Sequence, residues 1–240
     1  MTTLTQTYLD QVLGQEIGLD RRPSLANEAA DKIRDMILLE KLPPGAILPE
    51  QKLSAALKIS RTPLREAIRI LSNEGLVVFH ARSARVANPS VADIEQYMNV
   101  LGALEGLAGS QAAVHATDAE LTHIKLLCEF MTHNRDQMDP LTSFNKDMEF
   151  HTSIIKAARN APLLETHRQY NARLWRARYI SSQRKTGTEI TRQEHIAIVE
   201  ALLRRDAAAT SASMVQHLHT GVHNIRQVYA EKTTTHPDTP

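Results

Sequence analysis

The sequence predicts a mainly α-helical chain in two parts: an N-terminal winged helix-turn-helix domain followed by an all-helical antiparallel bundle of about six helices. Three observations carry this expectation. Hydrophobic residues make up 42% of the 240 residues but aromatics only 4%, with 9 Gly and 10 Pro, so the apolar content is aliphatic and sits on few chain breakers. A sandwich or barrel needs a turn every ~8–12 residues and many branched or aromatic strands, and neither is there in quantity. Only two short β-branched runs, at 77–80 and 84–88, interrupt a pattern that from Ser90 onward is helical throughout. At roughly 100–200 residues per domain the length favours two domains.

The elements follow in order. Leu25, Ala29, Ile33, Met36 and Ile37 recur at helical spacing behind Ser24, a good cap, and predict one amphipathic helix over 24–40. Pro43, Pro44, Gly45 and Pro49 break it, and EQKLSAAL forms a short second helix ending at the polar KIS. A third begins at once. Ser60 or Thr62 caps it, Pro63 suits its first turn, Leu64, Ile68 and Leu71 form its apolar stripe, and the chain leaves it between Asn73 and Leu76. VVFH and ARVAN, joined by the polar tip ARS, then read as a hairpin. The bundle parses into segments 91–116, 118–134, 140–158, 161–182, 187–205 and 206–231. Its breaks fall at Thr117-Asp118, Asp139-Pro140, Asn160-Ala161-Pro162, Gly187 and Asp206. The expected organisation is a mobile segment over 1–20, a winged domain over 21–89, the bundle over 90–232 and a mobile tail over 233–240.

Charge is unevenly distributed. Residues 20–90 carry 12 Lys/Arg and 8 Asp/Glu, net +4, leaving 16 basic and 19 acidic residues elsewhere, net −3. A basic first third on a neutral-to-acidic remainder fits one domain that meets a polyanion. The single cysteine, Cys128, excludes a disulfide framework and any Cys-based zinc cluster within one chain. No apolar run reaches the ~18 residues of a membrane span, and the opening residues lack a signal-peptide pattern, so the expected location is cytoplasmic with no membrane partner.

Arrangement sharpens the electrostatic signal. Arg61, Arg65 and Arg69 recur every four positions on the third helix and share a face, while Leu64, Ile68 and Leu71 hold another to the domain. Arginine on the free face of such a helix grips phosphate or pairs with guanine, and Ser60 and Thr62 add bonds to phosphate at the helix start. Arg82 and Arg85 at the hairpin tip reach toward an adjacent groove. In the bundle, Asp147 and His151 lie four apart and project from one helical face. His195 lies on the next-to-last helix, and the last carries His217, His219 and His223. A carboxylate and imidazoles converging from several helices hold a divalent transition metal. Periodicity does not choose between His217 and His219.

The stretch LPPGAILPEQKLSAALKISRTPLREAIRILSNEGLV, residues 42–77, resembles the DNA-binding domain of the GntR family of bacterial transcription regulators. The resemblance rests on a Pro-Gly turn, a Leu-Ala helix, Ser-Arg-Thr-Pro-x-Arg-Glu-Ala and Glu-Gly-Leu. It implies DNA contact by Ser60, Arg61, Thr62 and Arg65, with the wing tip near Arg82 and Ser83, where the family usually has Gly. Residues 91–230 are similar to the FCD ligand-sensing domain of the FadR subgroup, through Leu104-Glu105, Asp147 to His151 as Asp-x-x-Phe-His, Asn160, Glu194-His195 and Met214-x-x-His217-Leu. That resemblance implies Asp147, His151, His195 and His217 as ligands, with His219 and His223 as bystanders. The metal expected is Zn²⁺, with Ni²⁺, Mn²⁺ or Fe²⁺ as alternatives. The effector expected is a small organic acid. Many members meet it with an arginine four residues before Glu105, where this chain has Leu101, so Arg173, Arg176 or Arg178 is expected to substitute.

The resulting expectation is a ligand-responsive regulator, a repressor of a catabolic or transport operon. It would act as a homodimer on palindromic double-stranded DNA and would not be an enzyme. Two alternatives compete. A metal-dependent hydrolase would use the Asp and three-His site to activate water, but no general base is placed by spacing, and Glu149 and Glu194 read equally as helix-surface carboxylates. A constitutive DNA-binding dimer would hold no metal.

Overall fold

A computed structural model describes residues 24–81, 83–183 and 188–235. The elements are α1 (Leu25–Leu38), α2 (Glu50–Leu57), α3 (Arg61–Asn73), β1 (Val77–His80), β2 (Ser83–Val86), α4 (Val91–His115), α5 (Asp118–Asn134), a 3₁₀ turn (Arg135–Gln137), α6 (Pro140–Ala157), α7 (Ala161–Ser182), α8 (Thr188–Leu203) and α9 (Ala207–Thr235). The fold is the one expected: a helix-turn-helix with a small wing, then a helical domain. The differences lie at element ends. The second wing strand is Ser83–Val86 rather than 84–88, a 3₁₀ turn follows α5, and α9 runs on to Thr235.

In the winged part, Ser24 accepts the amide of Asn27 and starts α1. Lys58 takes a left-handed conformation, φ +54°, and turns the chain from α2 into α3. Ile33, Ile37, Leu53, Leu64, Ile68, Leu71, Leu76 and Val86 form one buried core, so the apolar stripe of α3 faces inward. Ser60 stands at the N-cap of α3 but makes no side-chain capping bond. The wing pairs antiparallel with His80 opposite Ser83, and Ala81, at φ +53°, makes its reversal. Among the described residues of the tip the left-handed one is thus Ala81, and Ser83 lies within β2.

In the bundle, Ser90, Thr117, Asp139 and Asn160 each accept backbone amides and start α4, α5, α6 and α7. α4 runs against α9 at close range because its contact face is glycine. A Cβ built at Gly106 would stand 2.7 Å from Cγ2 of Val215, and one at Gly109 would stand 3.0 Å from Cγ of Met214. The core is apolar around Phe150, Ile154, Ile198, Leu202 and Met214 at one end and Met98, Leu101, Leu174 and Leu218 at the other. Among the described residues no helix is long and apolar enough to cross a membrane.

The two parts meet along α7. Arg176 donates to Glu40 at 2.7 Å and to the Tyr229 hydroxyl at 3.4 Å, while Arg173 lies over the Tyr97 ring and against Gly75. Gly75 has φ +76°, which an L side chain adopts only with strain, and a Cβ there would approach Cγ of Arg173 to 2.4 Å. Gly75→Ala should therefore destabilise the protein by about 1–3 kcal/mol. Chemical denaturation checks this, and an unchanged midpoint would show that the turn is not constrained.

Candidate metal centre

The site is built from the inside outward, starting at a carboxylate. Glu105 sits in the middle of α4, the only charged side chain between Gln96 and Val114, and has no exposed surface. Its Oε2 accepts from Nδ1 of His151 at 2.8 Å, and its Oε1 from Nε2 of His167 at 3.1 Å and Nη1 of Arg178 at 3.3 Å. Arg178 donates in turn to Oδ1 of Asn171 at 2.7 Å. Burial pushes the Glu105 carboxyl up, but the imidazole and guanidinium donors overcome it and hold the group well below the usual carboxylate range. The carboxylate is ionised.

That pairing fixes the His151 tautomer. With Nδ1–H spent on Glu105, Nε2 presents a lone pair, and this buried nitrogen has no hydrogen-bond partner. A second imidazole is oriented in the same way. Nδ1 of His217, on α9, donates to Oε2 of Glu194 at 3.0 Å, and Glu194 also accepts from the Thr220 hydroxyl at 2.5 Å. The third comes from α8: Nε2 of His195 stands 3.3 Å from Nε2 of His217 and 3.3 Å from Oδ1 of Asp147. One ligand atom from each of His151, His195 and His217 falls within 4.8 Å of the others. Two nitrogens on one ion at about 2.0–2.1 Å stand roughly 3 Å apart, so the His195 and His217 approach matches shared coordination.

The donor set therefore fits a divalent transition metal. Three imidazoles suit it, one keeps an orphaned buried lone pair, and two are backed by carboxylates that fix ring orientation and raise ligand basicity. Burial pushes the His151 and His195 imidazoles below their ordinary value, His195 strongly, with His217 alongside adding to the effect. Neutral rings are the form that coordinates. Asp147 is also drawn below its ordinary value by these imidazoles despite burial; its Oδ1 stands against Nε2 of His195, while the converging ligand atoms are those of the three imidazoles.

Beside the cluster lies a chamber of about 100 Å³, lined among others by Phe144, Asp147, Arg135, Arg178, His195 and His217. The structure brings His151, His195 and His217 together, with Asp147 beside His195, while His219 and His223 are exposed. Arg173 and Arg176 do not reach the chamber. At 100° per residue, His167, Asn171, Leu174 and Arg178 form one stripe of α7 facing Glu105, which turns 173 and 176 toward the winged domain. Arg178, the third candidate on α7, does line the chamber. Glu194 is not a surface group but the partner of His217, whereas Glu149 pairs with Lys146 at 2.7 Å on the outside.

Sequence reasoning passed over Glu105 as a hub, together with His167, Asn171 and Arg135. A lone acid within nineteen otherwise uncharged residues was the available signal for the first. A polar stripe at 167, 171 and 178 was the signal for the next two.

On the winged domain, Ser60, Arg61, Thr62, Arg65 and Arg69 are all exposed along α3. Arg65 meets Glu50 at 3.1 Å and Arg69 meets Glu66 at 3.6 Å, solvated pairs that exchange readily for other anions. Arg85 donates to the Gly45 carbonyl at 3.1 Å, and Arg82 lies outside the described residues.

Residues 25–86 match the model of the gntR family of bacterial regulatory proteins, and residues 96–220 match the FCD domain. The Nta operon transcriptional regulator of Aminobacter aminovorans is 31% identical over 205 residues, 82% of this chain and 94% of the relative. The HTH-type transcriptional repressor RspR of Escherichia coli (strain K12) is 27% identical over 191 residues, covering 78% and 83%. Among solved structures, E. coli McbR/YncC aligns with a TM-score of 0.74 at 19% identity over 87% of this chain and 100% of that one, a likeness of fold.

The depressed imidazoles make a pH prediction. The folded, metal-stripped protein refuses protons at His151 and His195 that the unfolded chain takes up below ~6.5, so stability is greatest above that pH and is lost as pH falls through it. The thermal midpoint of chelator-treated protein should decline between about pH 7 and about pH 5, and less steeply in His195→Gln. A flat midpoint across that range would contradict the burial argument.

Proposed function

The chain belongs to the GntR family of bacterial regulatory proteins, with an FCD domain following its DNA-binding domain, and is a transcription regulator rather than an enzyme; from that premise we propose that it is a repressor of a catabolic or transport operon, set by a divalent metal and a small organic acid held in its bundle. The observation that carries this reading is the orphaned Nε2 of His151, facing His195 and His217 beside a chamber with two arginines. Asp147, His151, His195 and His217 hold the metal in this reading. Zn²⁺ suits three imidazoles and a carboxylate best, ahead of Ni²⁺, Mn²⁺ or Fe²⁺. A divalent cation there supplies positive charge and open coordination positions for a carboxylate or water. The residues do the rest: Glu105 and Glu194 orient the rings, and Phe144 walls the chamber.

The winged domain reads DNA through α3. Arg61, Arg65 and Arg69, with Ser60 and Thr62 at the helix start, meet phosphate and base edges in the major groove. The uncapped hydroxyl of Ser60 and the weakly paired guanidiniums of Arg65 and Arg69 support this, since none is committed to the fold. Two such heads on a homodimer match a palindromic operator about one turn between half-sites.

Two outcomes test the reading. Arg65→Ala should weaken operator binding by about 1–3 kcal/mol if the side chain reads a base, and log affinity of the wild type should fall linearly with log salt. Footprinting that an Arg61→Ala, Arg65→Ala double variant leaves intact would remove the assignment. Elemental analysis of protein purified without chelator should find about one metal per chain in the wild type and a large loss in His195→Ala and His217→Ala, with operator binding retained by both variants. Equal metal content in all three would refute the site.

A further inference from the structure

The buried apolar clusters of the winged domain and the bundle are separate. Ile33, Ile37, Leu64 and Ile68 belong to the first, Met98, Leu101, Leu174 and Leu218 to the nearest part of the second, and residues 87–90 connect β2 to α4. What joins the two is polar and comes from one face of α7. Arg173 and Arg176 stand three residues apart on that helix, opposite the stripe that faces Glu105. Each meets the C-terminal end of a helix of the winged domain. Glu40, two residues beyond α1, accepts from Nη2 of Arg176 at 2.7 Å, and Nη1 of the same guanidinium donates to the Tyr229 hydroxyl of α9 at 3.4 Å. The stem of Arg173 lies across Gly75, two residues beyond α3, with its guanidinium 5.5 Å from the centre of the Tyr97 ring.

Both docking points are left-handed, φ +55° at Glu40 and +76° at Gly75, so α1 and α3 each end in a sharp turn set against α7. Guanidiniums also suit the negative ends of two helix dipoles. Within the winged domain the same helix ends are tied to each other: Nη2 and Nε of Arg34 on α1 donate to Oε1 and Oε2 of Glu74, the C-cap of α3, at 2.8 Å and 3.2 Å. The two helices therefore move as one body, and the direction of α3 is set where α7 holds that body. The joint is loosely filled. A cavity of about 20 Å³ lies between Ile37, Leu76, Pro89, Ile94, Arg176 and Tyr229, and the buried Nε of Arg176 has no hydrogen-bond partner among the described residues. Few, partly solvated attachments across a gap set an orientation while contributing little to folding.

We propose that Arg173 and Arg176 are positioning residues for operator recognition: they fix the angle of α3 against the bundle and so set which spacing of half-sites the protein accepts. This deepens the functional reading above and rests on its homodimer. Neither residue touches DNA in this assignment; both act through the ends of α1 and α3. Half-site spacing is read by two helices held at a fixed separation. A head free to turn tolerates several spacings, and binds the best one less tightly because its orientation is then fixed only on binding.

The test uses the full chain and a palindromic duplex selected from a random pool by the wild type, with copies lengthened or shortened by one or two base pairs at the centre. Wild type should bind the selected spacing at least tenfold more tightly than either two-base-pair change. The Arg173→Gln, Arg176→Gln double variant should bind the selected duplex at least threefold more weakly than wild type and show less than a threefold spread across the series. Its helix content, metal content and affinity for a single half-site should match those of the wild type. Arg176→Glu should flatten the series in the same direction, and Glu40→Arg in that background should restore the wild-type profile, a rescue that a packing role for Arg176 would not give. An unchanged spacing profile in the double variant, or no recovery in the swapped pair, overturns the inference. So does an equal loss on the single half-site, which would place the damage in α3 itself. A wild type indifferent to spacing overturns the reading of two heads on a palindrome as well.

Discussion

A carboxylate with no access to water must be compensated on the spot, and the interior of this bundle is organised around meeting that demand for Glu105. Removing an ion from water to an apolar interior costs several kcal/mol even after relaxation, and only well-placed donors offset it. Here they come from two other helices: His151 from α6, and His167 and Arg178 from α7. The pairing therefore sets the register of α4, α6 and α7 together. It has a second result at the ligand cluster. Because Glu105 takes the Nδ1 proton of His151, the opposite nitrogen is left as a lone pair, and it is the nitrogen facing His195 and His217. Glu194 repeats the device on His217 with less burial. A structural need in the core and a ligand geometry at the cluster are thus satisfied by one carboxylate.

The same logic makes α7 a helix with two jobs. Its stripe at 167, 171 and 178 belongs to the Glu105 network, and on the far side of the helix Arg173 and Arg176 meet the winged domain at Gly75 and Glu40. The stripes share one rigid element, the geometric condition for two sites to bias each other. The close α4–α9 approach enforced by Gly106 and Gly109 belongs to the same frame, since α9 carries His217. Close packing of this kind transmits strain rather than absorbing it.

How much of this was legible in the sequence depends on whether the signal was periodic. Helix limits were, because Ser90, Thr117, Asp139 and Asn160 are capping residues that stand just before apolar stripes. So was the half-site of Asp147 and His151, whose spacing of four places both on one face. What spacing does not encode is which way a third or fourth helix turns. His217 and His219 are two apart, so 200° of rotation separates them, and periodicity alone leaves either inward; the family resemblance chose His217, and the structure turns His217 to the cluster and His219 to solvent. The same ambiguity led to Arg173 and Arg176 as expected effector contacts. Phase along α7 is fixed by His167 and Asn171, polar residues whose inward position follows from a partner on another helix. Glu194 shows the converse: next to a ligand in sequence, it reads as a surface acid until the His217 ring is placed beside it.

The position of Leu101 explains why the chamber's cation comes from an unexpected element. The resemblance to the FCD domain implies an arginine there, one turn of α4 before Glu105. In this chain that turn is sealed: Leu101 is fully buried among Met98, Leu174, Leu218 and Ile225, and a guanidinium among those side chains would be a charge without a counter-ion. The three donors already on Glu105 leave that acid little capacity for a fourth. Three of the neighbours, Met98, Leu218 and Ile225, also line the chamber, so its α4 side presents an apolar wall. The two guanidiniums that line the chamber come from other elements, Arg178 from α7 and Arg135 from the 3₁₀ turn that follows α5. An apolar residue on one helix and arginines supplied by other elements are thus consistent halves of a single arrangement of charge.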